Sequence, residues 1–262
     1  TVRSNAAMIR ERYGDDVDAS IHPKVRTEEA CWLSSSRAVE LAKKHGTRLH
    51  ILHLTTAREM ELFETGKPDE KQITAEACVH HLTFTEDDYP ELGNRIKCNP
   101  AIKTSDDRDA LWKALAEDRI DVIATDHAPH TLEEKDQGYW DAPSGLPLVQ
   151  HSVPIMLDHV NTGRISLEEM VRKMCHAPAD LFHVRDRGYI DEGKYADMIL
   201  IDPEKEWTVT KNSLLYKCGW SPFEGRSMNG KVLTTWVNGH KVYDDGQVSD
   251  VKAGKRLLFE RE

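Results

Sequence analysis

The sequence predicts an α/β fold built on a parallel sheet and continued into a small β module. Three observations lead there. Helical and strand patterns alternate up to Val184, an order that implies parallel strands joined by helical crossovers. A dense run of polar side chains directly follows one predicted strand. From Gly188 onward the pattern becomes short apolar runs separated by turns.

The elements follow in order. Residues 1–13 have a helical pattern, then a loop spans residues 14–23. A helix is expected over residues 27–45, ended by Gly46. Residues 48–54 (RLHILHL) form a short apolar run after that Gly and predict a strand. Residues 57–65 return as a helix, and residues 72–79 as a second strand. A helix over residues 105–118, with Ser105 as N-cap, leads to a third strand at residues 120–125 (IDVIAT). Helices are expected over 148–160, 166–175 and 178–182. Near the end, residues 232–243 (VLTTWVNGHKVY) carry Asn-Gly between two alternating runs. That is a hairpin signal, because a type I′ turn needs positive φ at both central positions.

With 262 residues, the chain holds one large domain or one with a small appendage. Its formal charge of −10 argues against nucleic acid and anionic membranes as partners. The five cysteines (Cys31, Cys78, Cys98, Cys175 and Cys218) are dispersed, odd in number and without a C-x-x-C pair. Neither a disulfide framework nor a zinc knuckle fits them, and free thiols in a reducing cytosol are expected. No apolar run approaches the roughly 20 residues of a membrane span. The N-terminus has no initiator Met and no targeting pattern, and reads as a helix already under way, so an upstream truncation is expected.

The densest chemical cluster is Thr125-Asp126-His127-Ala128-Pro129-His130-Thr131. It follows IDVIAT, and in parallel α/β barrels reactive groups sit at the C-terminal ends of strands. If Asp126 points into the mouth, alternation puts Ala124 and Val122 on the interior. A helix-capping Asp with surface histidines is the bland alternative. His50 and His53 have opposite parity on their strand, so only one faces the centre. His53, nearest the C-terminal end, is the candidate ligand, while His50 is expected to face the helices. Imidazole and carboxylate together suit zinc. Asn99, in Lys97-Cys98-Asn99-Pro100, offers donor and acceptor to an amide edge, or is a simple turn. In Ala142-Pro143-Ser144-Gly145, a Gly lets backbone groups approach a ligand closely. His80 and His81 are expected to be structural, since neighbours on a strand point apart. Glu76 is a weaker extra candidate.

On these motifs the chain resembles the dihydroorotases of the amidohydrolase superfamily. TDHAPHTLEEK (residues 125–135) is similar to that family's second signature. RLHILHLTTA is similar to its sixth-strand histidine segment, CNPAIK to its substrate-contacting Asn-Pro, and WSPFEG (residues 220–225) is also typical. GYIDEGKYADMILID (residues 188–202) resembles the superfamily's return to a β-sandwich. The resemblance implies the C-terminal part of a metal-dependent (β/α)8 TIM-type barrel over residues 1–184, then a small β-sandwich segment over 185–262. It implies two Zn2+ ions per intact site, with His53 on one, and Asp126 on the other and serving as proton shuttle. Asn99, His130, Ser144 and Gly145 would contact a small-molecule substrate, dihydroorotate or carbamoyl-aspartate, in a cytoplasmic homodimer. The departures are a Ser before Gly145 where the family has Phe, and the lack of the first-strand H-x-H, the bridging group and the fifth-strand His. His22, in a predicted loop, is not expected to replace that His. With those ligands placed upstream of Thr1, the chain as given is expected to be inactive. The alternatives are another cyclic amidase, an allantoinase or hydantoinase, or a non-catalytic partner of aspartate transcarbamoylase.

Overall fold

The structure, a computed structural model, describes residues 1–260. Helix α1 spans Val2–Tyr13 and α2 spans Glu28–His45. The sequence fixes both ends of α2. The Thr27 hydroxyl accepts from the Ala30 N–H, Glu28 and Glu29 occupy the first turn, and Lys43, Lys44 and His45 the last. Each arrangement offsets the unpaired groups and partial charges of a helix terminus, the cap by about 1 kcal/mol. Gly46 then adopts φ 64° and returns its N–H to the Ala42 carbonyl. The expected loop at 14–23 is partly helical: a 3-10 turn at Ala19–Ile21 runs into a helical turn at His22–Val25.

Three parallel strands follow, β1 (Leu49–Ile51), β2 (Ile73–Cys78) and β3 (Val122–Ala124), paired in the order β1-β2-β3. His50 pairs with Thr74, Glu76 with Val122 and Cys78 with Ala124. Alternation therefore gathers His50, Thr74, Glu76, Cys78, Val122 and Ala124 on one face. The opposite face carries Ile73, Ala75, Ala77 and Ile123, all buried. His50 consequently does not face the helices as its parity relative to His53 implied. β1 ends at Ile51, so strand parity does not extend to His53.

Between β1 and β2, the helix expected over residues 57–65 is only a 3-10 turn, Arg58–Leu62. Its Glu59 is buried and clamped by Ser35 Oγ at 2.5 Å and Thr56 Oγ1 at 2.8 Å, and Phe63 then turns extended into the core. Helix α3 (Ser105–Ala116) precedes β3, and its N-cap is Thr104 rather than Ser105. Thr104 and Asp107 form a reciprocal capping box, which Ser105 could not, lying one position too far along.

The chain divides into two compact units, Thr1–Gln150 with Leu214–Phe223, and His151–Ser213 with the chain from Glu224 onward. Within the second unit, α4 (Ser152–Asn161) packs on β5 (Ser227–Val237). Gly230, at φ 103°, lies so close to Leu157 that an added Cβ would come within 2.6 Å of its Cβ, and Asp158 accepts from Arg226 at 2.9 Å. The first unit regains residues 214–223 through Trp220, which donates to the His130 carbonyl at 2.8 Å, and Phe223, which stacks on Phe84.

In the second unit, β4 (Met198–Thr208), β5, β6 (His240–Asp244) and β7 (Gln247–Val248) make one antiparallel sheet in that order. Asn238 (φ 50°) and Gly239 (φ 82°) turn β5 into β6, as the Asn-Gly pair predicts. The predicted helix at 166–175 starts on a Ser166 cap as α-helix Leu167–Val171, then widens to a π-turn at Arg172–His176. Among the described residues, no helix is long and apolar enough to cross a membrane.

Candidate functional site

Two of the candidate residues, His53 and Asp126, follow the C-terminal ends of β1 and β3. His53 lies two residues beyond β1 with φ 40°, and Asp126 two beyond β3 with φ 48°. Left-handed backbone is uncommon for residues other than Gly and costs on the order of 1 kcal/mol or more, so it persists where neighbours enforce it. At His53 the enforcer is β2. Glu76 accepts the His53 N–H on Oε1 at 3.3 Å and the Leu54 N–H on its carbonyl at 2.9 Å. The other Glu76 oxygen meets His50 Nε2 at 3.2 Å, and His50 Nδ1 meets the Thr74 hydroxyl at 2.9 Å. Glu76 and His50 thus brace the strand end that presents His53. The His53 ring keeps a buried Nδ1 with no hydrogen-bond partner.

Asp126 is exposed, and its charge reaches Cys78 and Cys98, raising both thiol pKa values along with the dominant effect of burial. His53 likewise acts on His80 and His81. Both strand-end residues therefore sit within electrostatic range of the groups that close β2.

The loops after β3 are locked by polar contacts to backbone. His127 Nδ1 accepts the N–H groups of Leu148 at 2.9 Å and Val149 at 3.3 Å, and its ring stacks on Tyr216. The helix expected from residue 148 starts at Ser152, after this loop. Lys135 donates to the carbonyls of Lys97, Pro143 and Gly145, and Lys97 to those of Tyr139 and Ala142. Both ammonium groups are buried, and desolvation lowers each pKa to about 8. Neither lysine was singled out from sequence. Lys135 closes the TLEEK run, where it looks like an ordinary helix-end cation.

These contacts assemble the expected substrate residues. The Gly145 N–H donates to the Lys97 carbonyl at 2.9 Å, bringing half-buried Ser144 and buried Gly145 beside the Asn99 segment. Gly145 has φ 148°, and an added Cβ would meet the Ala128 carbonyl oxygen at 2.6 Å and His130 Cδ2 at 3.0 Å. Only Gly permits that approach. Asn99 Oδ1 is buried and unpartnered, an acceptor available to an N–H edge. His130 is half-buried, with Nδ1 3.7 Å from Glu134 Oε2.

His22 is engaged elsewhere, as expected. Its Nε2 donates to the Cys98 carbonyl at 2.8 Å, which leaves Nδ1 to accept from the Tyr139 hydroxyl at 2.8 Å. Burial holds its pKa down at about 3, against the Cys98 bond and aided by Lys97, Arg26 and Lys103. The unfolded ring takes a proton near pH 6.5 and the folded ring only near 3, so lowering the pH across that window favours unfolding. The loss from this one group is on the order of 5 kcal/mol. Urea denaturation between pH 7 and 3 is expected to show that decline, and His22→Gln to flatten it. An equal slope in the variant would refute the assignment.

His80 and His81 correct another expectation. They occupy a turn after β2 and not the strand, so neighbouring side chains need not diverge. Their ring centroids are 4.0 Å apart.

Residues 10–242 match the sequence model of the Amidohydrolase family. The chain belongs to the amidohydrolase family. Among similar proteins, the dihydroorotase of Pyrococcus furiosus is 36% identical over 222 residues, covering 85% of this chain and 51% of the relative. That of Halobacterium salinarum is 37% identical over 232 residues, covering 88% and 54%. The L-hydantoinase (dihydropyrimidinase) from Arthrobacter aurescens superposes with a TM-score of 0.85 at 28% identity, over 95% of this chain and 56% of that one. The chain thus spans about half the length of the curated relatives it matches.

This amidohydrolase has a TIM-barrel-type hydrolase fold, and its family is generally metal-dependent. The residues at the strand ends fit a divalent cation. His53 Nδ1 is a buried nitrogen without a partner, and Asp126 is a carboxylate with no internal ion pair among the described residues. Nitrogen and oxygen donors of this kind suit zinc.

Proposed function

We propose that the protein is a dihydroorotase, interconverting dihydroorotate and N-carbamoyl-aspartate. The observation that carries this reading is the Thr125–Lys135 motif, with Asp126 in left-handed backbone at the end of β3 and His130 against Gly145. The dihydroorotases at 36–37% identity support it. His53 would hold one zinc ion and Asp126 the other. When bound, zinc supplies a Lewis acid and a water acidic enough to ionise near neutral pH.

The chain's own groups do the rest. Asp126 takes the proton of the attacking water as general base and returns it to the ring nitrogen as the C–N bond breaks. His130 and Asn99 orient the substrate carboxylate and ring edge, with the backbone of Ser144 and Gly145 alongside. In the reverse direction Asp126 accepts the proton of the carbamoyl nitrogen and ring closure expels water. A barrel portion over residues 1–184, a sandwich segment over 185–262, a cytoplasmic location and a homodimer complete this reading.

The hydantoinase similarity favours a second reading, a cyclic amidase for neutral rings. His130 argues for the carboxylate-bearing ring, because an imidazole N–H donates to a carboxylate oxygen. The decisive assay follows ring opening of dihydroorotate and of hydantoin by the full protein, with and without a chelator. Turnover of dihydroorotate that the chelator abolishes and zinc restores is expected. Preference for hydantoin, or indifference to chelation, would overturn the proposal.

A further inference from the structure

The turn that follows β2 holds a second cluster of metal-ligand type. Cys78, His80 and His81 each offer a ligand atom within 4.8 Å of the others. Cys78 and His80 are fully buried and His81 is 3% exposed. Both ring nitrogens of His80 and Nδ1 of His81 lack hydrogen-bond partners. Three bare nitrogens away from water are costly, since each unpaired buried polar group forfeits about 1–3 kcal/mol. The remaining nitrogen of the pair explains the orientation. His81 Nε2 donates to the Pro100 carbonyl at 3.1 Å, which fixes the tautomer and leaves the Nδ1 lone pair as an acceptor. Ligating histidines are held by this kind of contact to a backbone carbonyl.

We propose that Cys78, His80 and His81 form a buried site for one divalent d10 cation, zinc by preference, separate from His53 and Asp126. Thiolate and imidazole are the donors zinc favours, and three protein ligands leave one position for another ligand. On binding, the Cys78 thiol gives its proton to the buffer and the sulfur lone pair goes to the cation, so one proton leaves per ion. The ligands span β2 and its turn, so the ion would tie the turn to the strand beside His53. The two sets of ligands share no residue, and this inference does not depend on the substrate.

X-ray absorption at the zinc edge distinguishes the sets, because only a cysteine supplies sulfur. The zinc-loaded protein is expected to show a sulfur scatterer at about 2.3 Å beside nitrogen at about 2.0 Å. That shell should survive in a variant with Cys31, Cys175 and Cys218 changed to Ser and Cys98→Ala, and in His53→Ala. Cys78→Ser should lose the sulfur and one equivalent of zinc, and His80→Ala that same equivalent. Zinc without sulfur in the unaltered protein would overturn the proposal, even if Cys78→Ser failed to fold, and would assign the bare nitrogens to buried water. Sulfur retained in Cys78→Ser would overturn it equally.

Discussion

In the intact protein, turnover of dihydroorotate is expected to fall by about 100- to 10,000-fold on Asp126→Asn, the span removed with a general acid–base. Asn nearly keeps the size of Asp126 but cannot take up a proton at neutral pH. The loss should fall on kcat more than on KM, since proton transfer belongs to the transition state. In free energy this is about 3–5 kcal/mol. Zinc content should be measured alongside, because Asp126 is also a proposed ligand. A variant with normal zinc and near-normal kcat would remove Asp126 from the proton path. The exposed position of Asp126 makes a folding defect an unsuitable explanation for such a loss.

The second large effect is on stability. Asp121, at the start of the third predicted strand, is 1% exposed at its side chain and pairs with Lys71 at 2.8 Å, itself 5% exposed. The same carboxylate accepts the Ala75 N–H at 2.9 Å, and Lys71 also donates to the Asp118 carbonyl. Removing one partner of a buried pair leaves the other charge uncompensated, at about 3–5 kcal/mol. Asp121→Ala should therefore lose roughly that much in urea denaturation, with the transition midpoint shifted and its slope nearly unchanged. Asp121→Asn should lose less, because an oxygen remains for the Ala75 N–H. Replacing both partners, Lys71→Met with Asp121→Leu, should recover part of the loss. A loss below about 1 kcal/mol for Asp121→Ala would mean that water reaches the pair and screens it.

Features that arise from neighbours along the chain were legible in the residues alone. Thr27 and Gly46 bound α2 because an N-cap hydroxyl and a left-handed Gly act within one turn. Asn238 and Gly239 turn the hairpin because their backbone tolerates positive φ. The alternation of helix and strand set the order β1, β2, β3, and the polar run after IDVIAT marked the strand end that carries Asp126. Tertiary structure decided whatever depends on where a strand stops and what lies across from it. β1 ends at Ile51, and Glu76 of β2 holds the backbone of His53, so parity counted along residues 48–54 misplaced His50. β2 ends at Cys78 without a Gly or Pro to mark it, so His80 and His81 fall in a turn and face each other. Lys97 and Lys135 became buried clamps because five carbonyls from distant loops converge on them. Nor could periodicity tell that α4 would pack on β5, because an apolar stripe records that a helix is covered and not by which element.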